Sequence, residues 1–291
     1  MRFIGAITFF LILPCCVLET TRDAPDGRTQ IKLWRHETAD EELNESLATI
    51  DRFNRGQSRW HIAVETLPQG AYTESVTAAA LAQQLPCILD VDQPVVPNFA
   101  WTGHLRPLDG LVDEALLASI NAGAKGRFRD KTYSIGQFDV ALALFTRRSV
   151  LAKRGIRVAT LENPYTPDEF LKVLAKLKAA DTSRYPLDIN TIMTGEWLAY
   201  GFSPWFQSAG ADLIDRKNFV EAEGVLNGSA AVGVARWYQR LFEQAYVPRR
   251  AVDDLAFLQG QADIHYTGSW VAIRYERKFG DDLVIMPPVD F

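Results

Sequence analysis

The chain has 291 residues, 47% of them apolar and 23% charged, a balance that excludes disordered, collagen-like, coiled-coil and low-complexity classes. Lys and Arg number 31 against 36 Asp and Glu, a net charge of -5, so nothing draws it to nucleic acid or an acidic membrane surface. A chain of this length buries roughly 75% of its unfolded surface, fills about two domains and needs no disulfides to fold.

Residues 1–16 carry one early cation, Arg2, then an apolar stretch from Phe3 to Leu13 and Pro14-Cys15-Cys16. Eleven apolar-dominated residues span about 16 Å as a helix, little more than half of the hydrocarbon core, so this is an export signal and not an anchor helix. Leu13-Pro14-Cys15-Cys16 resembles a bacterial lipobox, which implies membrane attachment through a lipidated Cys15 or Cys16. Residues 17–29, polar and rich in Asp, Pro and Gly, read as a linker. The mature chain belongs in a periplasmic or extracellular setting. There, Cys87 is the thiol left after the signal, inside an apolar run where it would be inert.

Gln30 to Trp34 alternates as a short strand and runs into Arg35-His36-Glu37-Thr38. Thr38-Ala39-Asp40-Glu41 has capping-box spacing, and Leu43, Leu47, Ile50 and Phe53 form the apolar stripe of a helix. Trp60 to Leu67 alternates again. Strand, helix, strand predicts a parallel sheet. Glu74 to Gln84 reads as an Ala-rich helix, and Cys87 to Val91 as a buried parallel strand. In open α/β sheets ligands collect at the carboxyl ends of strands, so Trp34 to Glu37 and Asp90 to Gln93 are expected at one crevice.

Lys131 to Arg147 reads as one long extended run crossing between domains, with the hinge near Gln137 to Ala141. The N-terminal lobe is then 30–138 and the C-terminal lobe 139–291. Ser149 to Arg154 is a short helix ended by Gly155. Thr166-Pro167-Asp168-Glu169 is a second capping box, with Phe170, Leu174 and Leu177 as the buried stripe. Ala230 to Phe242 is a helix, and Ile264 to Thr267 a strand leading into Gly268-Ser269-Trp270. Trp60, Trp205 and Trp237 read as packing residues.

Strand ends and turns repeatedly carry an acid, an amide or an aromatic ring: Trp34, Arg35, His36 and Glu37, then Asp92, Asp139, Glu196 with Trp197, and Trp270. Sugars need this mixture. Their hydroxyls take charge-assisted hydrogen bonds from carboxylates and arginine, and their C–H faces lie against aromatic rings. Each residue also has a structural reading: Asp92 and Asp139 as turn or capping residues, Trp34 and Trp197 as core. His36, His61, His104 and His265 lack zinc-ligand spacing, so no metal is expected and no cofactor. Walker, GxGxxG and GxSxG patterns are absent. Paired carboxylates leave a glycoside hydrolase open as an alternative.

The segments IKLWRHETADEEL, LPCILDVDQPVVPNFAWTGHLRPLD, DKTYSIGQFDVALALFTRRSVLAKRGI, TPDEFLKVLAKLKA, GEWLAYGFSPWFQSAGADLID, AEGVLNGSAAV and AFLQGQADIHYTGSWVAI run from about Ile31 to the end. In that order the chain resembles the bacterial extracellular solute-binding proteins of ABC sugar importers, the group that includes maltose-binding protein. The resemblance implies two α/β lobes joined by a hinge, with a mono- or oligosaccharide held in the cleft between them by a monomer and delivered to ABC permease subunits. It places the first-strand turn on Trp34 to Glu37 and the cleft acid on Asp92. The hinge acid falls on Asp139, the second-lobe acid on Glu196 and the stacking ring on Trp270. Members of the family run on after the strand at Asp282 to Met286, whereas this sequence stops at Phe291. A C-terminal part of the fold is therefore expected to be missing, and an inactive truncated remnant is a further alternative.

Overall fold

Two runs with an apolar residue at every second position, joined by a helix, pair in parallel as expected. β1 (Thr29–His36) and β2 (Trp60–Leu67) lie in register from Thr29 opposite Trp60 to His36 opposite Leu67, with α1 (Asp40–Gly56) between them in sequence. The computed structural model describes residues 24–181, 184–193, 196–249 and 255–291. The export signal at 1–16 with Cys15 and Cys16, and residues 17–23 of the linker, lie outside the described residues.

Met1–Val91 and Asp92–Phe291 form two compact units. In the first, α2 (Tyr72–Leu81) leads to β3 (Ile88–Leu89), and the sheet has the order β2-β1-β3, parallel throughout. Two sequence expectations fail here. The capping box at Thr38 does not form: Ala39 precedes the first turn of α1 with no side-chain cap, because Thr38 Oγ1 accepts from Arg35 Nη2 at 2.9 Å instead. The run Cys87 to Val91 is not a buried strand, since only Leu33 opposite Ile88 and Trp34 opposite Leu89 pair. Ile88 is 40% exposed and Cys87 is exposed too, so the thiol is open to solvent and not enclosed in apolar surroundings.

The second unit opens with α3 (Val96–Trp101), α4 (Glu114–Ser119) and an antiparallel hairpin of β4 (Lys125–Phe128) and β5 (Lys131–Ile135). The extended run expected over Lys131 to Arg147 is broken at Gly136. The amide of that glycine donates to the Ala124 carbonyl at 2.6 Å and ends the hairpin, and the strand resumes in a different sheet as β6 (Leu142–Arg147). α5 (Arg148–Ala152) follows and unwinds into Gly155, which sits at φ +59°, where glycine is strain-free. α6 (Pro167–Ala180) starts as its sequence dictates: Thr166 Oγ1 accepts from the Glu169 amide at 3.3 Å, and Phe170, Leu174 and Leu177 are fully buried.

After β7 (Tyr185–Asp188), α7 (Glu196–Ser208) and α8 (Ser229–Glu243) come β8 (Ala262–Gly268), α9 (Ala272–Phe279) and β9 (Leu283–Met286). The sheet has the order β7-β8-β6-β9, with β7 parallel to β8 and both other pairings antiparallel. β8 is buried along its whole length, and its period of two sorts the side chains. Ile264 and Tyr266 enter the main core with Leu174, Leu187, Trp205 and Trp237. Asp263, His265 and Thr267 take the other face and are also buried. Among the described residues no helix is long and apolar enough to cross a membrane.

Candidate functional site

At the end of β1 the backbone turns under two hydrogen bonds to the Trp34 carbonyl, from the Tyr72 hydroxyl at 3.1 Å and the Asp90 amide at 2.8 Å. Trp34 is half-buried, and its Nε1 is buried with no hydrogen-bond partner. Arg35 is only 1% exposed. Its guanidinium donates to Thr38 Oγ1 at 2.9 Å and to the carbonyls of Leu43 and His36 at 3.4 and 3.3 Å, so it ties the turn to the start of α1. His36 is buried, bonds the Glu37 carbonyl through Nδ1 at 3.0 Å and lies 5.3 Å from the Tyr72 ring. Glu37 is exposed. These four residues belong to the first unit.

Of the residues singled out in the second unit, four gather around one that was not: Tyr200. Trp197 and Tyr200 lie on the same side of α7, three residues apart, with ring centroids separated by 6.1 Å. Trp270, in the turn that ends β8, meets Trp197 edge-on at 6.2 Å and 78° and lies 6.4 Å from Tyr200. Trp197 is 4% exposed with an unpartnered Nε1, while Tyr200 and Trp270 are half-buried and keep part of their surface open.

Both carboxylates act electrostatically on the Tyr200 phenol. Its hydroxyl donates to the Val140 carbonyl at 3.4 Å, beside Asp139. Burial, then the negative charges of Asp92 and Asp139, push its pKa up to about 12. Asp92 is half-buried ahead of a single helical turn, and Asp139 is exposed on the segment between β5 and β6. That segment is fastened to the turn bearing Trp270, because the Ser269 amide donates to the Ala141 carbonyl at 2.9 Å and the Ala141 amide to Ser269 Oγ at 3.4 Å. Glu196 starts α7, but its side chain lies outside the described residues.

Two carboxylates that each act on one phenol, with a half-buried indole against that phenol, supply acceptors for hydroxyl groups and a surface for C–H faces. The spacing Trp197-x-x-Tyr200 was the available signal for the phenol; nothing local marks its approach to Asp92 and Asp139. Trp205 and Trp237, at 1% and 5% exposure, are packing residues as their sequence setting indicated, whereas Trp60 is only half-buried beneath the Arg59 guanidinium. Among the described residues no group of three or more His, Cys, Asp or Glu is placed to hold a metal ion.

The sequence profile of a family described as bacterial extracellular solute-binding protein matches residues 48–291. None of the curated proteins matches the chain. Among solved structures, the GacH receptor of Streptomyces glaucescens, crystallised unliganded and with acarbose, shares 22% identity at a TM-score of 0.71, covering 89% of this chain and 66% of its own. The cyclic alpha-maltosyl-1,6-maltose binding protein of Arthrobacter globiformis shares 21% at 0.69, over 90% of this chain and 66% of its own. The maltose/maltodextrin-binding domain MalE of Bdellovibrio bacteriovorus, bound to maltotriose, shares 19% at 0.68, over 89% and 66%. At these identities the likeness establishes the fold, the α/β fold of two-lobe periplasmic binding proteins. The chain spans about two thirds, 66%, of the length of these neighbours.

Proposed function

Because the chain belongs to the bacterial extracellular solute-binding proteins, we propose that it binds a mono- or oligosaccharide and serves as the substrate-binding component of an ABC importer. The observation that supports this reading is the grouping of Asp92, Asp139, Tyr200, Trp197 and Trp270 within the second unit. The three neighbours described above carry acarbose, a cyclic maltosyl-maltose and maltotriose in their names, which makes α-linked gluco-oligosaccharides the first ligands to try.

In this reading the carboxylates of Asp92 and Asp139 accept hydrogen bonds from sugar hydroxyls, Trp270 stacks on a C–H face, and Trp197 buttresses that ring. Glu196 adds a third carboxylate. In the first unit, the same reading assigns Trp34, Arg35, His36 and Glu37 to ligand binding. The protein acts outside the cytoplasm as a monomer without enzymatic turnover, held at the membrane by a lipidated Cys15 or Cys16, and delivers its sugar to permease subunits.

A thermal-shift screen against mono- and oligosaccharides, with product formation assayed alongside, tests the reading. A sugar-dependent rise in melting temperature without turnover is expected. Asp92→Asn and Asp139→Asn each remove the charge from a hydrogen bond of about 1.5–3 kcal/mol. Each variant therefore binds the selected sugar roughly ten- to a hundredfold more weakly while melting like the parent without ligand. Turnover of the sugar, or no shift with any sugar, contradicts the reading.

A further inference from the structure

Two glycines lie beneath the two indoles of the cluster, and neither is explained by its backbone. Gly268 sits at φ -90° and ψ 168°, ordinary extended geometry that any residue adopts. Yet a Cβ placed there would fall 1.8, 2.2 and 2.4 Å from Cζ3, Cε3 and Cη2 of Trp270, and those ring atoms are the three nearest. Gly201 lies inside α7, where glycine weakens a helix relative to alanine. A Cβ there would fall 2.8, 2.9 and 3.0 Å from Cε2, Cζ2 and Cδ2 of Trp197. At both positions the three nearest atoms a Cβ would meet belong to an indole ring.

The two seats belong to one assembly. Gly201 also offers its carbonyl to the Tyr266 hydroxyl at 2.7 Å, which fixes this turn of α7 to β8, the strand that ends in Gly268. With both rings drawn down onto bare backbone, Trp197 and Trp270 meet edge-on at 6.2 Å. A methyl group under either ring would lift it and change that angle.

We propose that Gly268 and Gly201 are positioning residues of the sugar site, acting through Trp270 and Trp197 to set the face that the indole pair presents to ligand. This rests on the reading of Trp270 as the stacking ring. The choice of a side chain-free residue at these two places is then a condition of affinity as well as of packing.

The test is a double-mutant cycle on the full chain, read in two ways. Without ligand, Gly268→Ala is expected to alter the near-ultraviolet circular dichroism of the indole pair, and Gly201→Ala to lower the melting temperature where helix propensity alone would raise it. With the sugar selected by the thermal-shift screen, Gly268→Ala is expected to weaken binding about tenfold in the parent, yet less than twofold when Trp270 is already alanine. An unchanged dichroism spectrum, or an equal loss of affinity in both backgrounds, overturns the proposal. If no sugar binds the parent, the functional reading fails while the dichroism still decides whether Gly268 sets the ring.

Discussion

Replacing Trp205 by alanine is expected to destabilise the second unit by about 3–5 kcal/mol, the range for truncating a large buried aromatic side chain. Trp205 is 1% exposed and lies between α7, α8 and β8. Its ring centroid is 4.8 Å from Tyr266, 5.3 Å from Trp237 and 5.5 Å from Phe202. Truncation opens a cavity that these rings, each held by its own neighbours, fill only in part. Thermal unfolding should fall by roughly 10 °C, given about 2–4 °C per kcal/mol at this size. The contrast with Trp205→Phe is informative, since the indole Nε1 is buried without a hydrogen-bond partner. Phenylalanine removes that orphan donor while keeping most of the volume, so it should cost only about 1 kcal/mol. Equal losses for the two variants would show that packing around Trp205 is not what holds the unit together.

Acid should begin to destabilise the protein well above the pH at which its carboxylates titrate. His265 is buried on β8 in a closed network: Asn190 Nδ2 donates to the Tyr266 carbonyl at 3.2 Å, so Asn190 Oδ1 accepts from His265 Nε2 at 2.7 Å. His265 Nδ1 is left to accept from the Tyr275 hydroxyl at 2.6 Å. The imidazole is therefore neutral, and burial, followed by the charge of Arg274, lowers its pKa to about 3. The Asp188 carboxylate, 4.0 Å away, is occupied by the Asn190 amide at 2.9 Å through its other oxygen.

A histidine whose folded pKa lies below its unfolded value near 6.5 binds fewer protons in the native state. Its contribution is complete above that pH and drains away as pH falls toward 3, by about 1.4 kcal/mol per pH unit. Asp263 on the same strand works in the opposite sense, because burial raises its pKa. Asp212, Glu169 and Asp282 have lowered pKa values through bonds to Arg216, Arg157 and Ser149, so they lose stability only below about pH 4. Denaturant unfolding between pH 7 and 5 should thus show a falling stability in the parent and a nearly flat one in His265→Gln. Parallel curves would remove His265 from the explanation.

What was legible in the sequence was what is locally encoded. The alternation of β1 and β2, the Thr166 capping box with its Phe170, Leu174 and Leu177 stripe, and the strand leading into Gly268-Ser269-Trp270 all depend on neighbours a few residues away. The failures share a cause of the opposite kind. Thr38 had the spacing of a cap, but Arg35 reached it first. The apolar run at Cys87 lacked pairing partners beyond two residues. The extended run after Lys131 was divided by a hydrogen bond from Gly136 to Ala124.

The second-unit site shows the same division. Aspartates at Asp92 and Asp139 and a ring at Trp270 could be singled out by residue type and by family resemblance. Tyr200, which both carboxylates act upon, carried only its spacing from Trp197 as a signal, because its approach to the carboxylates arises only when α7 packs beside two turns remote from it in sequence. The glycines under the indoles were invisible for a related reason: their φ and ψ are ordinary, and only the rings explain them.

The most direct measurement is isothermal titration calorimetry of maltotriose and related α-linked gluco-oligosaccharides into the parent and into Trp270→Ala. Saturable binding by the parent is expected, weakened at least tenfold, about 1.4 kcal/mol, in a variant whose own melting temperature stays within about 2 °C of the parent's because Trp270 is only half-buried. Equal affinity in the two proteins, or no heat of binding with any sugar, would contradict a carbohydrate site built on Trp270, Asp92 and Asp139.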